Sequence, residues 1–352
     1  VQIDHWAYLH GKPTISASFK QQPSDFVVTE QLGYTPSGEG EHIYLWVEKQ
    51  QLNTAYVAEQ LAAFTQLPLR AVSYAGRKDK HAVCFQWFAI HKPGKTEYDW
   101  STFTLKGLKV HKAMRHNKKL RIGQLKGNQF SIRLRDLGDA ENIESRAEQI
   151  RQLGVPNYFG NQRFRNSRHH AQGGNLALGE QMLAGEYIRN RNKRNLAISA
   201  LRAWLFNEFV HHRLSEGYFS QPMHGDVFCL AGSNSFFSSD VIDQALSERL
   251  EQCDIFISAP LWGRGELATQ LRAKNWETTV ANQYLTLCEQ LEELGLSQER
   301  RSIHLMPQDL HWKLGDSDMT IDFSLPSGCF ATSVLRELVN LGSEGTASES
   351  LK

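Results

Sequence analysis

At 352 residues the chain can hold roughly two domains with a sizeable core, and its 41% hydrophobic and 22% charged residues are those of a folded globular protein, not a fibrous or disordered one. No apolar run approaches the roughly 20 residues that span a bilayer, and the opening VQIDHWAYLHGKP lacks the regions of a secretory signal, so a cytoplasmic protein without membrane association is expected. The five cysteines are odd in number and far apart, and the histidines are scattered or adjacent, which argues against a disulfide framework and a metal site.

The first third reads as strands. DFVVTEQLG (25–33) and HIYLWVEK (42–49) are β-branched and aromatic, and the turn-rich YTPSGEGE separates them. A helix should follow, with Asn53 or Thr54 as N-cap and Val57, Leu61 and Phe64 along one face. AVSYAG and AVCFQWFAIH (82–91) are the next strands, followed by STFTLKGLKV and NQFSIRLRDL. In the last of these Phe130, Ile132 and Leu134 share one face, and Arg133 and Arg135 the other.

DAENIESRAEQIRQLG (139–154) has the period of an amphipathic helix that buries Ile143, Ala147, Ile150 and Leu153, with Gly154 just past its end. From about 155 to 303 helices dominate. One runs through NLAISALRAWLFNEFVHHRLSEG, with Ile198, Leu201, Leu205, Phe209 and Trp204 toward the core, and a single further helix is expected over ETTVANQYLTLCEQLEELG. DVFCLAG and SNSFFSSD make a small β or loop element between them. Strand character returns at DMTIDFSLP (318–326), followed by a short helix through TSVLRELVN. The pattern is α+β, with one domain inserted into another. The tail 342–352 is expected to be disordered.

Charge is segregated along the chain. From Lys106 to Arg213 there are 21 Lys and Arg against 8 Asp and Glu, and the stretch 106–135 carries ten cations and no carboxylate. A solvated face normally mixes signs, so this run points to a nucleic-acid backbone. The octapeptide AGRKDKHA (75–82) sets Asp79 among Arg77, Lys78, Lys80 and His81, in a connection between two strands. Such a cluster is either a solvated turn or a carboxylate kept ionised in a site built for a polyanion.

AGRKDKHAVCFQW, GVPNYFGNQRF, LKGNQF, SDFVVTE and GCFATSVLREL together resemble the TruD family of tRNA pseudouridine synthases, over roughly residues 5–341. The resemblance implies isomerisation of uridine 13 of tRNA to pseudouridine. It also implies an α+β architecture: a pseudouridine synthase catalytic domain with a mixed, mainly antiparallel sheet (1–153 plus 304–341), interrupted by an inserted, mainly helical TRUD domain (154–303). The reaction is redox-neutral, so no cofactor is expected. The partner is tRNA, no obligate protein partner is needed, and a monomer is the simplest state.

By the same resemblance Asp79 is the nucleophile, toward C1′ or the pyrimidine ring. Neighbouring cations would keep it ionised, and Lys20 in SFKQQPSDF is the candidate ion-pair partner. A flipped uracil needs an aromatic wall and a polar edge, for which Phe26, Asn128, Phe130 and Phe330 are the candidates. Phe130 shares the apolar face of its strand and reads more readily as core, and Phe26 reads equally either way. Arg77, Lys78, Lys80, Lys118, Lys119, Arg121, Lys126 and Arg163 are the candidates for contacts to the RNA backbone. Two other functions fit the same residues: a base glycosylase or transglycosylase, which would release or exchange the base, and an RNA-binding or folding module whose aspartate is structural.

Overall fold

A computed structural model describes residues 2–138, 142–164, 174–233 and 235–341, with the backbone alone for Gln162. The tail expected to be disordered (342–352) lies outside the described residues. The chain forms two compact units, one of 13–151, 307–328 and 338–341, the other of 2–12, 152–306 and 329–337.

The first unit is built on a nine-stranded sheet. Its path runs Gln308–Leu314, Met319–Pro326, Gly127–Arg135, Phe26–Gln31, Val83–His91, His42–Gln50 and Leu108–His116, with Ser18–Phe19 and Val72–Tyr74 as short additions. Neighbours are antiparallel except at the centre, where Phe26–Gln31 runs parallel to Val83–His91 and pairs Val28 with Cys84. Strand alternation then fixes what each face carries. Phe26, Val28 and Glu30 share a face with Asn128, Phe130 and Ile132, because the register pairs Glu30 with Asn128 and Val28 with Phe130. Lys49 and Val47 join that face through their pairing with Cys84 and Gln86.

The helix Thr54–Thr65 packs Val57, Ala58 and Leu61 against Ile43, Leu45, Val47, Phe88 and Ile90. Each of the larger aliphatic and aromatic side chains here contributes about 1.5–3 kcal/mol of burial. The helix expected over 139–154 is Ile143–Leu153, and Ile143, Ala147 and Ile150 are buried as its period requires. Leu153, expected on that face, is 56% exposed because it sits in the last turn, where the chain leaves the helix for Gly154 at φ +66°. The strand expected over 101–110 starts later, at Leu108, and runs to His116 through the basic stretch.

In the second unit the 25-residue helix Arg191–Ser215 buries Leu201, Leu205, Phe209 and Trp204. A four-stranded antiparallel sheet, ordered Phe236–Ser239, Asp226–Leu230, Ile255–Leu261 and Glu299–Ser302, accompanies it. The single helix expected over 277–295 is two, Leu271–Asn282 and Leu285–Glu293. The break falls at Tyr284, whose backbone leaves helical geometry (φ −125°, ψ 29°) and whose hydroxyl donates to the buried Glu208 at 2.8 Å.

Residues 2–12 and 329–337 group with 152–306, although the sequence pattern sets them with the first sheet. Backbone N–H groups of Leu9 and His10 both donate to the Glu337 carboxylate at 3.0 Å. The Trp6 indole donates to Glu208 at 2.7 Å, and the Tyr158 hydroxyl to Ala7 O at 3.1 Å. These bonds join segments far apart in sequence, so no local pattern announces them.

Candidate active site

Asp79 lies in the connection between the strands Val72–Tyr74 and Val83–His91. Each of its carboxylate oxygens has a donor: the Lys20 ammonium meets Oδ2, and the His81 N–H donates to Oδ1 at 2.9 Å. Both side chains are largely buried, 9% exposed for Lys20 and 18% for Asp79. Burial pushes the Asp79 pKa up, but the Lys20 charge and hydrogen bond, together with the His81 N–H, outweigh it and hold the carboxyl below its ordinary 3.8. The group is therefore an ionised, partly desolvated carboxylate, the state a nucleophile requires. Lys20, expected from sequence only as a candidate partner, makes this pair.

Beneath the loop runs a row of polar groups that the sheet alternation places on an otherwise apolar face. The Lys49 side chain, fully buried, donates to Asp79 O and Leu52 O at 2.9 Å each. The Cys84 thiol also donates to Asp79 O, at 3.4 Å. Glu30 accepts the Trp87 N–H at 2.8 Å and pairs with Lys78 Nζ at 2.8 Å. Thr54 Oγ1 accepts the Lys78 N–H at 3.0 Å, and the Gln86 amide donates to Gly76 O at 2.7 Å. The loop is thus held from below at Gly76, Lys78 and Asp79. Burial raises the Glu30 pKa despite Lys78, and burial lowers that of Lys49.

The same face carries the expected uracil-binding residues of this unit. Lys20 Nζ sits 4.2 Å from the Phe26 ring centroid, a cation–π contact under the ion pair. Phe26 stacks on Phe130 at 6.0 Å, and Phe130 meets Phe323 at 5.5 Å. Phe26 and Phe130 are only 7% and 6% exposed, so both serve the core of this face as well as any site above it. Asn128, the cross-strand neighbour of Glu30, buries an Oδ1 that accepts no hydrogen bond among the described residues. The strand approaches its neighbour closely there: a Cβ on Gly127 would lie 2.3 Å from Leu325 O.

Arg77 and Lys80 are exposed on the loop, as are Lys118, Lys119, Arg121 and Lys126 on the connection 117–126. Leu120 and Leu125 bury into a cluster with Tyr44, Ala75 and Ala89 and so anchor that connection. The Gly123 N–H donates to Ala75 O at 3.1 Å, which ties it to the base of the Asp79 loop. Lys78 departs from its expected place among the exposed cations: its ammonium turns inward because the buried Glu30 carboxylate demands a counter-charge.

Phe330 and Arg163 belong to the other unit. There the Phe330 ring packs edge-on against Phe159 at 5.9 Å. The Arg163 guanidinium lies 5.2 Å from the Phe159 centroid and 5.9 Å from that of Phe330, and donates to Ser199 Oγ at 3.0 Å. Arg163 is therefore a half-buried residue stacked on aromatics and not an open surface cation. No group of three or more His, Cys, Asp or Glu among the described residues is placed to hold a metal ion, and no helix among them is long and apolar enough to cross a membrane.

Sequence reading misses Glu30, Lys49, Thr54 and Gln86. The signal is clearest for the two charged ones. Lys49 follows Ile43, Leu45 and Val47 at the buried phase of its strand, and Glu30 follows Phe26 and Val28 in the same way. A charge at a core phase marks a buried polar network.

Comparison with known proteins bears on this site as a whole. The sequence profile of tRNA pseudouridine synthase D (TruD) matches residues 2–190 and 184–338. The chain is 56% identical over 346 residues to the tRNA pseudouridine synthase D of Pseudoalteromonas atlantica, covering 98% of this chain and 99% of the relative. It is 46% identical over 337 residues to that of Aeromonas hydrophila, covering 96% and 94%. A TruD crystal structure from Methanosarcina mazei superposes with a TM-score of 0.69 at 21% identity, over 95% of each chain, and shares the fold. With the mixed α+β architecture and the matched residues spanning nearly the whole length, this chain belongs to the TruD family of tRNA pseudouridine synthases, which are isomerases.

Proposed function

We propose that the chain converts uridine 13 of tRNA to pseudouridine, with the Asp79 carboxylate as the nucleophile. The observation that carries this reading is the ionised Asp79, held by Lys20 and the His81 N–H above a face with aromatic rings and an open amide acceptor. The reaction breaks the N1–C1′ bond, turns the uracil, and joins C5 to C1′. The proton on C5 leaves and N1 gains one, so atoms and charge balance without an external oxidant or reductant. Asp79 would add to C1′ or to the pyrimidine ring and depart as C–C bond formation completes. Either route uses the same fixed carboxylate.

Target uridines in folded RNA are stacked, and the enzyme must take the base out of the stack. Phe26 and Phe130 provide the apolar floor, and Asn128 Oδ1 is a ready acceptor for the uracil N3–H. In the other unit, Phe330 and Arg163 supply a ring and a guanidinium for a further nucleotide. Arg77, Lys80, Lys118, Lys119, Arg121 and Lys126 contact the RNA backbone, which gives affinity largely independent of sequence. The sheet unit is the catalytic one, and the segment 154–303 contributes to tRNA recognition.

The test is nucleoside analysis of an unmodified tRNA transcript after incubation with wild type or Asp79→Asn. Pseudouridine at position 13 with wild type alone supports the reading. A transcript with cytidine at position 13 should yield none. Modification elsewhere on that transcript, or product from Asp79→Asn, would overturn the positional or the mechanistic claim respectively.

A further inference from the structure

We propose that Lys49 is a positioning residue for the isomerisation: its buried ammonium grips the main-chain carbonyl of Asp79 and so fixes where the nucleophile is presented. The inference rests on the reading of Asp79 as that nucleophile. Lys49 lies next to the end of the strand His42–Gln50, at a phase otherwise filled by Ile43, Leu45 and Val47, and its side chain is fully buried. An aliphatic residue would satisfy that position by packing alone. A buried ammonium is costly unless compensated, and no ion pair compensates this one among the described residues. Its hydrogen bonds go instead to two carbonyls, Leu52 O and Asp79 O, both at 2.9 Å.

That pair of acceptors is informative. Leu52 lies in the connection from the strand to the helix Thr54–Thr65, and Asp79 lies in the catalytic loop, so one side chain ties the loop to the scaffold at the reacting residue itself. The Cys84 thiol, opposite Lys49 in the strand register, adds a second donor to the same carbonyl. With Lys20 on Oδ2 and the His81 N–H on Oδ1, Asp79 is restrained at both carboxylate oxygens and at its backbone. Releasing the backbone restraint lets the whole residue shift, even with Lys20 in place. A misplacement of about 1 Å can lower a rate by roughly 10²-fold.

The charge has a second effect with a definite sign. The charged and titratable groups around Asp79 are Lys20 from the preceding segment, Lys78 and His81 from its own loop, Lys49 from the strand below, Glu30 paired with Lys78, and the neutral Cys84 thiol. Removing the Lys49 cation from this set leaves the Asp79 carboxylate less stabilised and raises its pKa. The acid limb of the pH–rate profile therefore moves toward neutral.

The experiment is steady-state kinetics on an unmodified tRNA transcript with Lys49→Met, alongside thermal unfolding and a pH–rate profile. The expected result is a folded protein with kcat reduced about tenfold to a hundredfold, KM within about twofold of wild type, and an acid limb shifted upward; Lys49→Arg, which retains the charge and donors, should recover part of the kcat. A folded Lys49→Met with wild-type kcat and an unshifted acid limb would overturn the proposal, as would a rate loss accounted for entirely by the unfolded fraction. If Lys49→Met does not fold, Lys49→Gln keeps a donor without the charge, and the same upward shift with an intermediate kcat is expected. A chain that folds with neither substitution makes Lys49 a residue of the fold alone and also overturns it. Asp79→Asn run in parallel separates the two claims: if it keeps activity, the nucleophile reading fails, whereas an inactive Asp79→Asn beside a wild-type-like Lys49→Met sinks only the role of Lys49.

Discussion

Lys20 meets Asp79 from a left-handed backbone conformation, φ +59°, with its ammonium held between the carboxylate and the face of Phe26. Few non-glycine residues adopt that region without a compensating contact. Here the conformation aims a lysine at Asp79 from a short segment entering the sheet. Replacing it with Lys20→Met keeps the length and the contact with Phe26 but removes the cation. Asp79 should then titrate at higher pH, so the acid limb of kcat/KM moves up. A pH–rate profile of Lys20→Met beside wild type decides it, and an unshifted acid limb would show that another cation sets the Asp79 ionisation.

The same depressed pKa links Asp79 to stability. A carboxyl below its unfolded value contributes stability that is fully present above that value, near 3.8, and is lost as pH falls through the folded value. Asp79→Asn cannot ionise, so its Tm should fall less steeply than that of wild type as pH drops below about 4. Thermal unfolding across that window is the measurement, and parallel curves for the two proteins would refute the link.

Lys78 and Glu30 make a second pair, and its sign differs. Burial holds the Glu30 carboxyl above its ordinary 4.5 even beside Lys78, so the folded state binds its proton more tightly and this group's contribution declines as pH rises through that range. Removing either partner alone leaves a buried charge without its mate, a loss of roughly 3–5 kcal/mol at a fully buried site, reduced here because Lys78 is 10% exposed. Glu30→Gln and Lys78→Met should each lower Tm, while the double variant should recover part of the loss. Strict additivity in this cycle would mean that the pair is not coupled.

The strands and the core helix can be read from periodicity because Ile132, Leu134, Leu61 and Leu205 repeat at the period of their elements. Asp79, the proposed nucleophile, comes from a motif match, and its ion-pair partner Lys20 from another motif 59 residues away. Lys78 is misplaced by its sequence neighbourhood, because adjacency says nothing about which cation a buried carboxylate draws inward, and Glu30 lies in a distant strand. Residues 2–12 escape the sequence pattern for the same reason, since their bonds to Glu208 and Glu337 span the chain. What sequence periodicity does reveal is the exception: Lys49 and Glu30 break an apolar phase, and both hold the loop that carries Asp79.

Lys118, Lys119, Arg121 and Lys126 are exposed on a connection whose anchor residues, Leu120 and Leu125, are buried. Substituting the four with glutamine should leave the fold intact and weaken tRNA binding, with the slope of log K against log salt reduced by up to about 0.7–0.9 for each phosphate that is no longer neutralised. The kcat at saturating tRNA should stay within about twofold of wild type, because none of the four touches Asp79. Binding titrations at several salt concentrations check this. An unchanged salt slope would place the RNA backbone on another surface.

Asn128 offers the sharpest separation of function from stability. Its Oδ1 is buried and accepts no hydrogen bond among the described residues, and such an unsatisfied acceptor costs about 1–3 kcal/mol. A protein selected for stability alone would place an apolar residue there, beside Leu325 and close to Phe130 in the same strand. Asn128→Leu should therefore hold or raise Tm. If the acceptor receives the uracil N3–H, the same variant leaves that donor unpaired in the complex and lowers kcat/KM by roughly 10–100-fold. The two readouts pull in opposite directions, so general damage to the fold cannot produce both. A variant that gains stability and keeps full activity would assign the open acceptor to neither substrate nor fold, and one that loses both would make Asn128 a structural residue of the sheet.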